Sequence, residues 1–273
     1  MKNLYNKTGI KHSLKDKLWF NFKFPYFVRK MFCITRSVSD YRFQDQFKEH
    51  YSRLTELKDK YLGERCFVLG MGPSLDKTRF DLIRNEHFIV ANNFYQGMGK
   101  FKINPEFWVV ADDAVFDIHS KMLLRIDTNL FLTEDATRIF LENKQHYMEG
   151  MLKEPIVIRP LGNMDTWKTL SKDLRKGAYG GMVIWSSLQL ALHLGFKEVY
   201  LLGCDCDLSK GIHFKEANYF GIIKDVWEPV FERYKICRKI FEKEGKKIYN
   251  ATVGGDLEVF ERRNVEELND NSR

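Results

Sequence analysis

The sequence predicts an α/β fold, a doubly wound and mostly parallel sheet with helices on both faces, preceded by an N-terminal helical arm. Three observations predict it. From residue 65 onward, short apolar runs alternate with amphipathic stretches, the signature of strands alternating with helices. Several of those runs end in Gly, Asn or Asp, as they do where an open sheet presents a ligand crevice at its strand ends. With 273 residues, 44% hydrophobic and 14% aromatic, the chain is long and apolar enough to bury one large core.

The elements follow in chain order. Residues 14–36 form an aromatic and basic arm, with Trp19, Phe20, Phe22, Phe24, Tyr26, Phe27 and Phe32 interleaved with Lys and Arg and interrupted by Pro25. Such a segment suits an anionic membrane interface or a partner surface, or else packs as a helix with its lysines in water. Across 41–62, Phe43, Phe47, Tyr51, Leu54, Leu57 and Tyr61 recur at three- and four-residue steps, which predicts a helix covering the main domain. Strands are expected at 66–70, 88–92, 107–111, 129–133, 156–159, 198–203 and 247–250, and helices at 114–125, 181–194 and 227–243. The chain thus divides into an arm and helix at 1–62 and an α/β nucleotide-binding domain at 63–273.

Charge narrows the partners. The net charge is +7, but residues 1–36 hold nine Lys or Arg against the single acid Asp16, so the body is near neutral. No basic groove long enough to track a nucleic-acid backbone is indicated. The five cysteines are odd in number, which favours reduced thiols and a cytoplasmic setting. Cys204-Asp205-Cys206 is too closely spaced for a structural zinc knuckle. No apolar run reaches the roughly 18 residues of a membrane span, and the N-terminus lacks a secretory pattern. The expected location is cytoplasmic, peripheral to the membrane if the arm engages it.

Four strand ends carry the chemistry. In Gly70-Met71-Gly72-Pro73-Ser74-Leu75 the glycines let the backbone approach a ligand, Pro73 fixes the turn, and exposed N–H groups can donate to phosphate oxygens. The loop lacks the Gly-Lys-Ser/Thr ending of a Walker loop and the three glycines of the dinucleotide fingerprint. Asn92 and Asn93 can read the edges of a base, a ribose or a sugar, or close a turn. Asp112 and Asp113 can hold a divalent cation, accept a proton from an acceptor hydroxyl, or cap the helix that follows; one is expected to cap and the other to act. Tyr179-Gly180-Gly181 frees a helix N-terminus to meet an anion. Beyond the next strand stand Asp205 and Asp207, and then His213, whose imidazole can exchange protons near neutral pH.

The loop at 70–75, the segment 91–95 and the run Leu192-His193-Leu194-Gly195-Phe196-Lys197-Glu198-Val199-Tyr200-Leu201-Leu202-Gly203-Cys204-Asp205 resemble the bacterial family 42 sialyltransferases. They equally resemble the domain shared by flagellin-glycosylation motility factors and archaeal-type 6-hydroxymethylpterin diphosphokinases. Tyr249-Asn250-Ala251-Thr252-Val253-Gly254-Gly255-Asp256-Leu257-Glu258-Val259-Phe260 is similar to the ending of that group's surface-glycan members. The resemblance covers residues 65–268 and implies a sialyltransferase-like, Rossmann-like fold. For a transferase it implies a cytidine monophosphate sugar held by the 70–74 loop, Asn92 and the 179–181 turn. The chain departs from the sialyltransferase pattern at Met71, at Tyr179-Gly180 and at Asp207, and no histidine follows His213.

Three functions follow from this. The first is transfer of a sugar from a nucleotide donor to a glycan or lipid-linked acceptor in surface-polysaccharide assembly, with no cofactor required. Here Gly70, Gly72, Pro73, Ser74, Asn92, Asn93, Tyr179, Gly180, Gly181 and Asp207 bind the nucleotide, and His213, Asp112 and Asp205 are catalytic. The second is an ATP-dependent diphosphokinase with magnesium held by Asp112, Asp113, Asp205 and Asp207. The third is a non-catalytic scaffold within a glycan-synthesis complex.

Overall fold

The computed structural model describes residues 44–161, 169–180, 182–207 and 227–268. The expected arm at 14–36 lies outside them, as do Gly181 and His213.

In chain order the strands are β1 (Arg65–Leu69), β2 (His87–Ala91), β3 (Phe107–Val110), β4 (Asn129–Leu132), β5 (Ile156–Val157), β6 (Pro160–Leu161), β7 (Ala178–Tyr179), β8 (Glu198–Leu202), β9 (Lys247–Asn250) and β10 (Glu261–Arg262). The helices are α1 (Gln44–Glu49), α2 (Tyr51–Leu57), α3 (Tyr95–Phe101), α4 (Asp113–Leu123), α5 (Glu134–Glu142), α6 (Lys144–Tyr147), α7 (Val183–Leu194) and α8 (Trp227–Lys243). Eight strands form one sheet in the order β10-β9-β8-β1-β2-β3-β4-β5, and every pairing is parallel. β6 and β7 make a separate parallel pair.

Parallel strands are covered on both faces, so their side chains are apolar throughout and divide by the two-residue period. Cys66, Val68, Ile89, Ala91, Val109, Val199 and Leu201 face one core, with α2, α7 and α8. Phe67, Leu69, Phe88, Val90, Trp108, Tyr200 and Leu202 face the other, with α3, α4, α5 and α6. Each fully buried Leu, Val or Phe contributes about 1.5–3 kcal/mol.

α7 is the central helix. Ile184 to Leu194 are all buried, so it is apolar on every side and its polar side chains must be satisfied internally. Gln189 accepts from the Ser171 and Tyr179 amides, each at 2.9 Å, and its Nε2 donates to the Tyr179 carbonyl at 2.8 Å. His193 is fully buried, with Nδ1 3.2 Å from the Leu174 amide and Nε2 2.9 Å from the Leu54 carbonyl. The Leu174 amide can only donate and the Leu54 carbonyl can only accept, so the ring is neutral with its proton on Nε2. Desolvation lowers its pKa to about 4. The helix stops at Gly195, whose φ of 94° is the left-handed cap.

Two expectations change. The helix expected across 41–62 is two short helices that break at His50. The imidazole there is buried, and α2 turns so that Leu54, Leu57 and Tyr61 enter the core. The helix expected from residue 181 begins at Val183, after Met182 in extended conformation.

Candidate functional site

The strand order reverses between β1 and β8. β1 to β5 run outward on one side and β8 to β10 on the other. Open α/β sheets hold ligands in the crevice at the carboxyl ends of the strands flanking such a point. Three loops meet there: residues 70–75 after β1, 203–207 after β8, and 251–257 after β9.

The loops are laced together. Gly70 donates to the Leu202 carbonyl and Gly72 to the Gly203 carbonyl, both at 2.8 Å. Asp205 takes the Ser74 amide at 3.2 Å on Oδ1 and the Ser74 hydroxyl at 2.7 Å on Oδ2. Its carbonyl accepts from the Asp256 amide at 2.8 Å. Asn250 donates to the Leu257 carbonyl at 2.6 Å, and the Arg262 guanidinium gathers the carbonyls of Thr252, Gly254 and Gly255. The C-terminal segment after β9 therefore folds directly against Asp205.

This corrects the reading of the first loop. The amides of Gly70, Gly72, Ser74 and Leu75 already have carbonyl or carboxylate acceptors, and Pro73 has no N–H. Only the Met71 amide is left of the phosphate cradle expected at 70–75. The glycines serve a different close approach. A Cβ on Gly70 would lie 2.4 Å from the Gly203 carbonyl oxygen, and one on Gly72 would lie 1.8 Å from Asp205 Oδ2. They let the β1 and β8 loops touch each other. Ser74 and Asp205 are buried within that junction, and Asp207 is buried as well.

The remaining candidates line the same end of the sheet. Asn92 closes β2 with a left-handed φ of 51°, a conformation Asn tolerates. Its amide donates to the Val109 carbonyl and its carbonyl accepts from the Trp108 indole, while its buried Oδ1 has no partner. Asn93 accepts from the Gln96 amide through its carbonyl. Asp112 is the N-cap of α4, accepting from the Val115 amide at 2.8 Å, and Asp113 takes the Ala114 amide at 2.8 Å. Asp112 is exposed. Tyr179 is held on both backbone groups by Gln189, with Gly180 beside it leading into α7.

The four aspartates proposed for magnesium do not converge. β3, which carries Asp112 and Asp113, lies three strand spacings from β8, which carries Asp205 and Asp207. That is about 14 Å at the usual spacing. Both Asp205 oxygens are engaged by Ser74. Among the described residues no three His, Cys, Asp or Glu side chains gather where they could hold an ion.

One pair escaped the sequence reading. The Tyr95 hydroxyl and His119 Nδ1 are 2.9 Å apart, and burial lowers the His119 pKa. Tyr95 follows the Asn92-Asn93 turn, whereas His119 lies on α4. No spacing in the sequence signals their contact.

Fold and loop junction together define a doubly wound α/β protein with its candidate site at the switch point. Residues 41–211 match the model of the 6-hydroxymethylpterin diphosphokinase MptE-like family, and the chain belongs to that family. Among solved structures, the MAf glycosyltransferase from Magnetospirillum magneticum AMB-1 is similar at 16% identity and a TM-score of 0.48. The match covers 81% of this chain and 38% of that one, so the chain spans well under half the length of that protein. No curated protein sequence matches. Among the described residues no helix is long and apolar enough to cross a membrane.

Proposed function

We propose that this chain is a glycan-assembly transferase that moves a sugar from a nucleotide donor, of the cytidine monophosphate type, to an acceptor hydroxyl. The observation that carries this reading is the packing of the segment 249–260, which resembles the ending of surface-glycan proteins, against Asp205 at the switch point. The donor phosphate meets the N-terminus of α7 beyond Tyr179-Gly180, where the helix dipole favours the charge developing on the leaving phosphate. Asn92, with its unpartnered Oδ1, faces the nucleoside. Asp112, exposed at the end of β3, and His213, outside the described residues, are the groups proposed to take the acceptor proton. Asp205 positions the loops and does not touch the reacting atoms, since both its oxygens are engaged by Ser74.

The family match favours a second reading, an ATP-dependent diphosphokinase. The separation of the two aspartate pairs does not suit one shared magnesium ion, so no step is drawn through it. A thermal-shift panel of cytidine monophosphate, uridine diphosphate, guanosine diphosphate and ATP, each with and without magnesium, separates the readings. Stabilisation by the cytidine nucleotide without metal supports the transferase. Stabilisation by ATP only with magnesium replaces it with the kinase, and no response leaves a scaffold.

A further inference from the structure

Seven large apolar side chains stand exposed among the described residues, and four of them come together: Ile118, Met122, Met148 and Leu152. Ile118 and Met122 are four residues apart on α4, so they share one face of that helix. The segment that follows α6 runs alongside it. The Tyr147 hydroxyl donates to Asp117 Oδ1 at 3.3 Å, a Cβ on Gly150 would lie 2.9 Å from the Arg125 guanidinium, and the Leu152 amide donates to the Leu124 carbonyl at 2.8 Å. Met148 and Leu152 are thus laid beside Ile118 and Met122, all four at least half exposed.

Single exposed apolar side chains are ordinary on a protein surface, whereas a cluster marks a contact. Its rim points to the partner. Lys121, Arg125 and Lys153 stand exposed around it, against Glu149 and Asp127. The cluster holds no Trp or Tyr, the residues that most often anchor a protein interface. Long cationic stems around an aliphatic centre suit the boundary between acyl chains and anionic headgroups.

The arm supplies a second argument. α1, where the described chain begins, lies beside α6, since Lys144 reaches Glu49 at 3.9 Å and Glu154 at 2.6 Å. Residues 37–43 link α1 to the basic aromatic segment, and seven residues span at most about 25 Å. The arm's excess of positive charge therefore begins within reach of the patch. Arm and patch rim are both cationic, so they repel each other and share an attraction to an anionic surface.

We propose that the face formed by Ile118, Met122, Met148 and Leu152 docks on an anionic lipid bilayer, entering the headgroup region beside the arm. Electrostatic attraction of the arm alone gives a loose, reversible contact, and the apolar face adds the second signal that holds the protein in place. The proposal stands apart from the choice of nucleotide donor. Because Asp112 caps the N-terminus of the same helix, the lipid-facing surface adjoins the carboxyl ends of the strands.

Met122 and Met148 report on the contact directly, since peroxide converts an accessible thioether to its sulfoxide and spares a covered one. The full-length protein is treated with dilute hydrogen peroxide alone, with vesicles of phosphatidylcholine, and with vesicles of phosphatidylcholine and phosphatidylglycerol. Sulfoxide at each methionine is followed by mass spectrometry. Oxidation of Met122 and Met148 should be fast without lipid and with neutral vesicles, and should slow several-fold with anionic ones. In co-sedimentation at fixed ionic strength, Ile118→Gln combined with Leu152→Gln leaves the charge and the arm intact and should weaken binding about tenfold, as two aliphatic side chains lose their partial burial. If that variant melts lower than its parent, the methionine protection decides. The proposal is overturned if the full-length protein ignores anionic vesicles, if it binds them with Met122 and Met148 still oxidised at the free rate, or if the folded double variant binds as tightly as its parent. Slow oxidation without lipid also overturns it, because the arm or a second copy of the chain then already covers the face.

Discussion

Lowering the pH from 7.5 to 4.5 should destabilise this protein, with His193 the side chain of largest effect. Its ring is fully buried, receives the Leu174 amide on Nδ1 and donates to the Leu54 carbonyl from Nε2. Protonation would place a second N–H against an amide that is itself a donor, inside the core. Burial therefore depresses the folded pKa to about 4, against 6.5 for the free side chain. The unfolded chain takes up a proton in this interval and the folded chain does not, so stability is complete above about pH 6.5 and falls as the pH drops towards 4. The full difference is about 3 kcal/mol, a large share of the roughly 5–15 kcal/mol of a typical domain. The shifts of His50 and His119, also lowered by burial, act in the same direction, and that of His87, raised by Glu106 and Glu64, acts in the opposite one. Comparison with His193→Gln isolates the residue, since an amide can donate to Leu54 and accept from Leu174 without titrating. Urea unfolding at pH 7.5, 6.5, 5.5 and 4.5 should show the parent losing about 2–3 kcal/mol more than the variant. Equal losses in both proteins would refute the reasoning.

Three further outcomes follow from the loops and the arm. Gly72→Ala places a methyl group 1.8 Å from Asp205 Oδ2, although the φ of −66° suits alanine. It should separate Ser74 from Asp205 and lower unfolding free energy by about 2–3 kcal/mol in urea titration, and an unchanged midpoint would contradict the junction. Gln189→Leu leaves the Ser171 and Tyr179 amides without their acceptor, so a loss of about 2–4 kcal/mol is expected, read by thermal or urea unfolding. Deleting residues 1–36 should abolish salt-sensitive co-sedimentation with anionic vesicles while leaving the melting temperature of the remainder unchanged; full-length protein that ignores such vesicles at low salt removes the membrane role of the arm.

The main elements were legible because a parallel sheet requires continuous apolar runs, and 66–70, 107–111 and 198–203 contain little else. α8 was legible from end to end for a related reason, a long periodic stretch between polar segments. α3 was not, because Gly97 and Gly99 argue against a helix whose formation depends on packing Phe101 into the core. β10 is two exposed charged residues, and nothing in Glu261-Arg262 distinguishes it from a loop. At the candidate site, the sequence reads glycines at 70 and 72 as places where the backbone approaches a ligand. What approaches them is Gly203 and Asp205, more than 130 positions along the chain. Local spacing holds no record of that partner. The same limit applies to Met122 and Leu152, each ordinary in its own segment and informative only side by side.

The place of β1 bears on how the chain is made. It lies at the centre of the finished sheet, between β2 and β8, yet it is the first strand of that sheet to be synthesised. Its β2 edge is closed within a few dozen residues. Its other edge waits for Glu198–Leu202, and at the usual pace of synthesis that is on the order of ten seconds. Throughout that interval Cys66, Phe67, Val68 and Leu69 form an open, apolar strand edge in the half-built domain, the kind of edge that recruits strands from other chains. The junction that joins the two halves of the sheet therefore also makes the nascent chain dependent on protection until β8 emerges, and slowed translation between residues 70 and 198 should lower the yield of folded protein.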